Sequence, residues 1–354
     1  MTPYRIAALN GDGIGPEITQ ATLSVLEAAL KKHPELQIEW LRLPMGFEAI
    51  ERHGHPLPPF VLPELQNCHG WILGPHDCAS YPEQFQSELN PSGTIRKHFD
   101  LYANLRPARK VPGLSSVVEA IDLVIARENT EDFYADRNMH WGTGEFLPVP
   151  GVALAVGVFT EKAAERIAHS AFQLARSRRK SVSIVHKANV LRATTGLFLE
   201  TCRRVGGQYP EVRVDDYHID AMAAHLVRRP ADFDVIVTTN MFGDILSDLT
   251  AELAGSLGTG GSINAGDQHA MAQAIHGGAP DIAGQGIANP TGLLRSSVLL
   301  FQWLGRQHND PALEAVAQTL DQALDATLAS GTHTPDLGGT ASTDEFAQAV
   351  LARL

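Results

Sequence analysis

The chain has 354 residues, enough for one large α/β domain or two smaller domains with substantial cores. Its 28 Lys and Arg against 40 Asp and Glu give a net charge of −12, which disfavours non-specific nucleic-acid binding because that binding depends on basic surface. The three cysteines lack C-x-x-C spacing, and no apolar run suggests a membrane span or a secretory leader. We therefore expect a soluble, cytoplasmic protein without nucleic-acid or membrane partners.

The first element in the chain is a predicted buried strand over residues 4–9, which ends in the loop G-D-G-I-G-P-E. Pro16 suits the first turn of the amphipathic helix that follows. The glycines are spaced G-x-G-x-G and not G-x-G-x-x-G, the spacing of dinucleotide-binding βαβ units. The loop is equally compatible with a tight turn that binds nothing and with a phosphate or adenosine contact.

The next specific pattern is a helix start at Asn90. Asn90 suits the N-cap, Pro91 the first helical position and Ser92 the first turn. A helix N-terminus attracts anions because its backbone N–H groups are unpaired.

Three arginines fall at or near the ends of predicted elements. Arg96 lies on the helix just described, Arg106 on a strand over residues 101–106, and Arg127 directly after a strand over residues 121–126. Each alone is typical of a surface salt bridge. Because guanidinium groups bind carboxylates in a bidentate manner, the three together predict a site for a small polycarboxylate.

Residues 133–158 are rich in glycine and proline and are predicted to form an irregular or hairpin insertion. An exposed arm of this kind often mediates subunit contact.

Lys187 follows a predicted buried strand over residues 181–185. A lysine at the mouth of a strand is usually solvated. It is also where a general base would be held, provided that burial or neighbouring positive charge lowers its pKa from about 10.4. Asp220 lies at the start of a later helix.

The motif N-M-F-G-D-I-L-S-D places Asp244 and Asp248 four residues apart on a helix predicted over residues 240–257. Its apolar stripe includes Ile245 and Leu246. Two carboxylates at this spacing repel each other unless a cation lies between them, and oxygen ligands suit Mg²⁺ or Mn²⁺. The alternative is a solvated acidic helix face. Beyond this helix the sequence is rich in glycine and then predicts three long helices near residues 293–304, 311–330 and 342–354.

Taken together, these motifs resemble one family. G-D-G-I-G-P-E, I-R-K-H-F-D-L-Y-A-N-L-R-P, A-R-E-N-T-E-D-F-Y, V-H-K-A-N-V-L, Y-H-I-D-A-M, N-M-F-G-D-I-L-S-D, H-G-G-A-P-D-I-A-G-Q-G-I-A-N-P and D-L-G-G-T-A-S-T occur in a single order. From end to end the chain is similar to the β-decarboxylating dehydrogenases of the isocitrate/isopropylmalate dehydrogenase family.

The resemblance implies a two-domain α/β fold that is not a standard Rossmann unit. Residues 1–98 plus 258–354 would form the cofactor-binding domain, and residues 99–257 the substrate, metal and dimerisation domain, with an arm at about 133–158. It also implies a homodimer whose active sites are shared by two subunits.

Carried over position by position, the resemblance implies a role for each matching residue. Those implied to bind substrate or act in catalysis are Arg96, Arg106 and Arg127 on the malate portion, Asn90 and Ser92 near its C3 substituent, Tyr134 as proton donor, and Lys187 acting across the dimer interface on the substrate hydroxyl. Those implied to bind Mg²⁺ or Mn²⁺ are Asp244 and Asp248 of one subunit with Asp220 of the other. Those implied to bind the cofactor are Ile14, Asn189, His276, Gly277, Ala279, Asp281 and Asn289.

Asp281 indicates NAD as the cofactor, because a carboxylate can bind ribose hydroxyls but repels a 2′-phosphate. Relatives that prefer NADP carry a lysine and a tyrosine where this chain has Asp281 and Ile282.

Departures from the family pattern bear on the substrate. Ser92 and Gly93 stand where isopropylmalate enzymes carry two leucines, and isocitrate enzymes have a serine and an asparagine where this chain has Asn90 and Ser92. Losing that apolar lining costs about 1–3 kcal/mol of discrimination for a branched alkyl group, so a polar or small C3 substituent on a 2R-malate is favoured. Gln273 replaces a usual glutamate and Gly261 a usual proline.

Three alternatives stay open. The chain could be an isopropylmalate dehydrogenase whose alkyl pocket uses other residues, or a tartrate or D-malate dehydrogenase, although the tryptophan-containing segment of the latter is absent. It could also be a non-catalytic regulatory subunit, against which the presence of Lys187, Tyr134 and the three aspartates argues.

Overall fold

The computed structural model describes residues 3–86, 88–134 and 144–354. Residues 135–143 of the predicted arm therefore lie outside the described residues. The strands are β1 Tyr4–Leu9, β2 Ile38–Leu43, β3 Gly70–Leu73, β4 Ala103–Arg109, β5 Asp122–Glu128, β6 Glu145–Val149, β7 Val152–Ala155, β8 Ser181–His186, β9 Arg213–His218, β10 Val235–Thr238, β11 Gly261–Ala265 and β12 Ala270–Ala274. The helices are α1 Gly15–Leu30, α2 Phe47–His53, α3 Val61–Gln66, α4 Glu83–Gln86, α5 Pro91–His98, α6 Glu161–Arg176, α7 Thr194–Gly206, α8 Ile219–Arg228, α9 Asn240–Ala254, α10 Thr291–His308, α11 Pro311–Ala329 and α12 Thr343–Leu351.

Ten of the strands form one mixed sheet in the order β2-β1-β3-β12-β11-β4-β5-β10-β8-β9. Pairing is parallel except where β11 runs antiparallel to β12 and β4, and where β4 runs antiparallel to β5. The first five strands in this order come from residues 4–73 and 261–274, and the other five from residues 103–238. This arrangement is consistent with the predicted discontinuous domains, whose boundaries stay a prediction.

Helices cover both faces of the sheet. Neighbouring residues of a strand point to opposite faces, so each buried strand packs against helices on both sides. In β1, Ile6 packs with α1, α10 and α11, whereas Ala7 packs with Leu65 of α3 on the other face. In β10, Val235 packs with α6 and α7, whereas Ile236 packs with α8 and α9. A sheet buried on both faces confirms the predicted α/β class.

Most predicted elements agree with the structure. Strand β2 and helices α2, α3, α4 and α7 were not predicted, and two further features differ. The glycine-rich region after α9 forms the buried strands β11 and β12, which the sequence did not predict. Ile245 was expected in the apolar stripe of α9, but 58% of its surface is exposed, whereas Leu246 is fully buried. The single-residue offset between them turns Ile245 away from the sheet that α9 packs against.

Strands β6 and β7 form a separate two-stranded antiparallel hairpin within the predicted arm. It carries exposed apolar side chains, including Phe146, Leu147 and Leu154. Within residues 3–86, 88–134 and 144–354, no helix is both long and apolar enough to cross a lipid bilayer.

Candidate active site

Helix α9 approaches strand β5 closely and pairs Asp244 with Arg127. A Cβ atom at Gly243 would lie 2.6 Å from Arg127 Cβ, so the glycine in N-M-F-G-D permits the contact. Arg127, only 2% exposed, donates from Nε to Asn240 Oδ1 at 2.8 Å and from Nη1 to Asp244 Oδ1.

Arg106 on β4 reaches the same carboxylates from the neighbouring strand. Its Nη1 lies 3.2 Å from Asp244 Oδ1 and 3.4 Å from Asp248 Oδ1, and donates to Ser247 Oγ at 2.8 Å. The Nε atom donates to Asn104 Oδ1 at 2.6 Å. Arg106, Arg127, Asp244 and Asp248 form what we call the arginine–aspartate cluster.

Tyr134 closes one side of this cluster. Its hydroxyl donates to Asp244 Oδ2 at 2.6 Å, and the Arg127 guanidinium lies 5.3 Å from the centre of its ring. The structure thus brings together five residues that the sequence placed on four separate segments.

The electrostatics of the cluster follow from burial and mutual charge. Burial and the nearby charge of Arg127 lower the pKa of Arg106 to about 10. Burial alone would raise the pKa of Asp244, but the positive charges of Arg127 and Arg106 outweigh it and hold that pKa below its usual range. Burial raises the pKa of Asp248, and the charge of Asp244 adds to this effect against the opposing charge of Arg106. The cluster therefore keeps Asp244 ionised.

Arg96 lies beside the cluster in a second buried polar group. It donates from Nη2 to Gln273 Oε1 at 2.7 Å and from Nη1 to Asn129 Oδ1 at 3.3 Å. Asn129 and Asn104 both donate to Asn264 Oδ1, each at 3.1 Å, and Asn104 in turn accepts from Arg106. Gln273, noted as a departure from the family pattern, is thus a hydrogen-bond partner of Arg96.

Asp244 and Asp248 fit the divalent cation that the resemblance implies, as part of its ligand set. Both present carboxylate oxygens within reach of one Arg106 nitrogen, and Mg²⁺ is commonly held by one or two carboxylates completed by water and substrate oxygens. Among the described residues, no group of three or more His, Cys, Asp or Glu side chains is placed to hold a metal ion. Within one chain, therefore, Asp220 does not join the other two aspartates.

Asp220 instead pairs with Lys187, whose Nζ donates to Asp220 Oδ1. This Lys187–Asp220 pair is open to solvent, with 25% of the lysine side chain and 68% of the aspartate side chain exposed. The hydrogen bond from Lys187 is the largest cause of the lowered pKa of Asp220. The Thr195 hydroxyl accepts from the Lys187 backbone N–H at 3.1 Å and fixes the turn that follows β8.

Five of the predicted cofactor residues line one cavity of about 400 Å³, beside Gly258 and Asp336. They are Ile14, His276, Gly277, Ala279 and Asn289. The loop after β1 packs directly on the loop after β12, since Ile14 N donates to Gly278 O at 2.8 Å. Gly13, at φ +59°, is required there because a Cβ atom would lie 1.9 Å from Gly278 O.

Two groups in this cavity bear on what it binds. His276 Nε2 is buried and has no hydrogen-bond partner among the described residues, and burial lowers the pKa of this histidine. Asp336, which the sequence reasoning did not select, accepts from Asn289 Nδ2 at 3.0 Å and presents a carboxylate to the cavity. It lies in the motif D-L-G-G-T-A-S-T, whose spacing does not indicate a ligand contact.

Two predicted cofactor residues lie outside the lining of that cavity. Asp281 is exposed on the same loop as Ala279 and Ile282, and Asn189 is exposed in the turn after Lys187. Neither is brought to His276 within one chain.

The predicted helix start at Asn90 is confirmed, since Asn90 Oδ1 accepts from Gly93 N at 2.8 Å. Ser92 Oγ donates to Asn90 Oδ1 at 3.1 Å and lies 2.9 Å from Nε2 of His76. Sequence reasoning missed His76, because the contact joins residues sixteen positions apart across a loop.

Comparison with known proteins gives a consistent result. A sequence model of the family described as isocitrate/isopropylmalate dehydrogenase matches residues 5–350. The chain is 41% identical over 354 residues to an isocitrate/homoisocitrate dehydrogenase of Thermus thermophilus, covering 99% of this chain and 98% of that protein.

A second relative is the catalytic subunit 6 of the mitochondrial NAD isocitrate dehydrogenase of Arabidopsis thaliana. It is 38% identical over 356 residues, covering 100% of this chain and 89% of that protein. Among solved structures, an isocitrate dehydrogenase from Methylococcus capsulatus superposes with a TM-score of 0.87 at 36% identity, covering 99% of both chains.

Proposed function

Because the chain belongs to the isocitrate/isopropylmalate dehydrogenase family, we propose that it catalyses the NAD-dependent, divalent-metal-dependent oxidative decarboxylation of a C3-substituted 2R-malate. Members of this family are dehydrogenases that decarboxylate hydroxy acids. The finer proposal rests on the arginine–aspartate cluster, where two buried guanidinium groups, two carboxylates and the Tyr134 hydroxyl converge.

The guanidinium groups of Arg96, Arg106 and Arg127 suit the carboxylates of such a substrate. In the structure, Arg106 and Arg127 pair with Asp244. An incoming substrate carboxylate would pair with the two arginines instead, and a cation would pair with Asp244. Asp244 and Asp248 would hold a divalent cation, which would supply stabilisation of the negative charge that develops on the substrate oxygen.

Lys187 and Tyr134 are the residue types that can move the two protons. Oxidation needs a base for the C2 hydroxyl proton while the C2 hydride passes to the nicotinamide, and Lys187 in its neutral form can accept that proton. Loss of the C3 carboxylate as CO₂ leaves an enolate, and the Tyr134 hydroxyl can donate a proton to C3. Asp220 adjoins Lys187 and would join the cation from a second subunit.

The His276 cavity suits the adenosine part of the cofactor. Its size is within the range of small-molecule sites, and the unpartnered His276 Nε2 offers a buried polar atom to a ligand. The Asp336 carboxylate in its wall, together with Asp281 on the exposed loop next to Ile282, would repel a 2′-phosphate, which favours NAD over NADP.

The Lys187 turn and the exposed hairpin support a homodimer with shared active sites. Family members are commonly dimeric, and the apolar side chains of Phe146, Leu147 and Leu154 on β6 and β7 suit a subunit contact. Asp220, 68% exposed in one chain, would complete the cation site of the partner.

A screen with purified protein tests this function. We expect NADH formation with Mg²⁺ or Mn²⁺ from at least one of isocitrate, isopropylmalate, D-malate, tartrate and methylmalate, with little activity when NADP replaces NAD or when EDTA removes the metal. Turnover confined to isopropylmalate would favour an alkyl pocket built from other residues. No turnover with any acid would favour the regulatory-subunit alternative and contradict the proposal.

A further inference from the structure

His76 lies in the loop after β3, and its ring contacts the first turn of α5. Its Nε2 atom is 2.9 Å from Ser92 Oγ, whose hydroxyl donates to Asn90 Oδ1. Since Asn90 Oδ1 can only accept, the Ser92 hydroxyl donates to it in this conformation, and Ser92 Oγ accepts from His76. The geometry therefore assigns the ring proton to Nε2.

The other side of the ring and the cap residue complete this polar group. Cys78 Sγ lies 3.3 Å from His76 Nδ1, which matches a thiol donating to the unprotonated ring nitrogen. Among the described residues, both hydrogen bonds of the Asn90 side chain, from Ser92 and from Gly93, end on its oxygen, and its amide nitrogen can donate to a ligand. His76, Ser92 and Asn90 together form what we call the donor pocket.

The loop that carries His76 is anchored by hydrogen bonds to the buried carboxylate of Asp12. Asp12 accepts from Asp77 N at 3.1 Å, from the Tyr81 hydroxyl at 2.6 Å and from Phe47 N at 2.7 Å. These three donors offset the negative charge of Asp12, and Asp77 itself accepts from the Ser80 hydroxyl at 2.7 Å. The position of His76 is therefore fixed by its direct neighbour in the chain.

The donor pocket continues the row of groups proposed to bind the malate portion. Ser92 and Arg96 are four residues apart on α5, are both buried, and thus lie one turn apart on the same face. Arg96 contacts Gln273 and Asn129 on the side of the arginine–aspartate cluster, whereas Ser92 contacts His76.

We propose that His76, acting with Ser92 and Asn90, is a specificity-determining residue that selects a malate whose C3 substituent ends in a carboxylate over one whose substituent is alkyl. This inference rests on the proposed function and names the substrate class of the same site.

The physical reason is the hydrogen-bonding balance of the pocket. A carboxylate at the end of the C3 substituent accepts from the Asn90 amide and from the Ser92 hydroxyl, which can rotate toward it because His76 continues to donate to Ser92 Oγ. An alkyl group would remove water from the same donors and offer no acceptor, so they would be left unpaired. A site built from hydrogen-bond donors rejects an analogue that lacks the matching group more strongly than an apolar pocket rejects an extra methylene.

The test compares the intact protein with His76→Leu and His76→Gln on three probes: isocitrate with a carboxylate on its C3 substituent, 3-isopropylmalate with an alkyl group, and D-malate with none. Gln is the matched control because its amide nitrogen can donate where Nε2 does. We expect the kcat/KM ratio of isocitrate to isopropylmalate to fall about 10- to 100-fold in His76→Leu and less than about threefold in His76→Gln. The kcat/KM for D-malate should change little in either variant.

An unchanged ratio in His76→Leu, or an equal loss on all three probes, would overturn the inference. So would faster turnover of isopropylmalate than of isocitrate by the unmodified protein, although the proposed reaction would then stand. Absence of turnover with every probe would instead be a failure of the proposed function. If His76→Leu does not fold, Ser92→Ala removes the hydroxyl that His76 holds and should shift the same ratio in the same direction.

Discussion

The arginine–aspartate cluster and the Lys187–Asp220 pair hold the same kinds of charged group in opposite settings. Arg127 is 2% exposed and the side chain of Arg106 is 8% exposed, whereas 68% of the Asp220 side chain is open to solvent. Each member of the first set is hydrogen-bonded or ion-paired to residues of the same chain. The second consists of one ion pair at the surface, beside an exposed turn.

This difference shows which part of the site one chain can build. Buried charges must be paired within the fold because an uncompensated one costs several kcal/mol, about 3–5 when a partner is removed. An exposed ion pair contributes only about 0–1 kcal/mol and is easily exchanged for other partners. The cluster is therefore fixed by folding, and the Lys187–Asp220 pair is free to engage a second subunit.

The largest expected effect concerns the exposed Lys187–Asp220 pair. Lys187→Ala should lower kcat by about 1,000-fold, since a positioned general base contributes 10²–10⁴-fold, while NAD binding measured by calorimetry stays close to normal. Lys162→Ala, which removes an exposed lysine of α6, is the control and should keep the original rate. A near-normal kcat in Lys187→Ala would rule out the lysine as the base.

A smaller effect tests whether the two regions meet across a subunit interface. Lys187→Ala and Asp244→Asn chains should each be inactive, but refolding them together should restore about a quarter of the original activity, because half of the randomly formed symmetric dimers carry one intact shared site. Steady-state rates of the mixed and unmixed preparations give the answer. If mixing restored no activity although mixed dimers formed, Lys187 and Asp244 would have to act within one chain.

The smallest effect concerns a buried carboxyl group near the cluster, Glu131, and the pH dependence of stability that it causes. Glu131, 8% exposed, accepts from Thr160 N at 2.7 Å and from the Thr160 hydroxyl at 2.8 Å, and its backbone carbonyl accepts from Asn240. Burial raises the pKa of Glu131 from 4.5 to about 7. Between these values the unfolded chain releases the proton while the folded chain keeps it, so this group's contribution to stability is complete below about pH 4.5 and is lost as the pH rises through 7.

Glu131→Gln cannot ionise and should escape this loss. We expect the Tm of the variant minus the Tm of the original protein to be about 2–4 °C higher at pH 8 than at pH 5. Calorimetry of both proteins at both pH values measures this difference. A Tm difference for Glu131→Gln that is the same at both pH values would show that the carboxyl group ionises normally in the folded state.

Local patterns in the sequence were sufficient for most of the elements and for the residue types of the site. The Asn90 cap, the helix spacing of Asp244 and Asp248, and the strand before Lys187 all depend on neighbours within a few positions. They could therefore be inferred from periodicity and capping, and the ordered motifs indicated the family. Strands β11 and β12 could not, because their burial depends on pairing with β3 and β4, far away in the chain.

By itself, the sequence determined the α/β class, the family and the charged groups available for catalysis, because these follow from composition, local periodicity and ordered motifs. Only the tertiary structure decided that Arg106 and Arg127 pair with Asp244, that Asp336 lines the His276 cavity, and that His76 contacts Ser92. Each of these contacts joins residues that no local rule relates, since the packing of α9 on β5 and of one loop on another sets which side chains meet. The exposed Lys187–Asp220 pair depends on more than the fold of one chain, because the groups proposed to complete its site belong to a second copy of the chain.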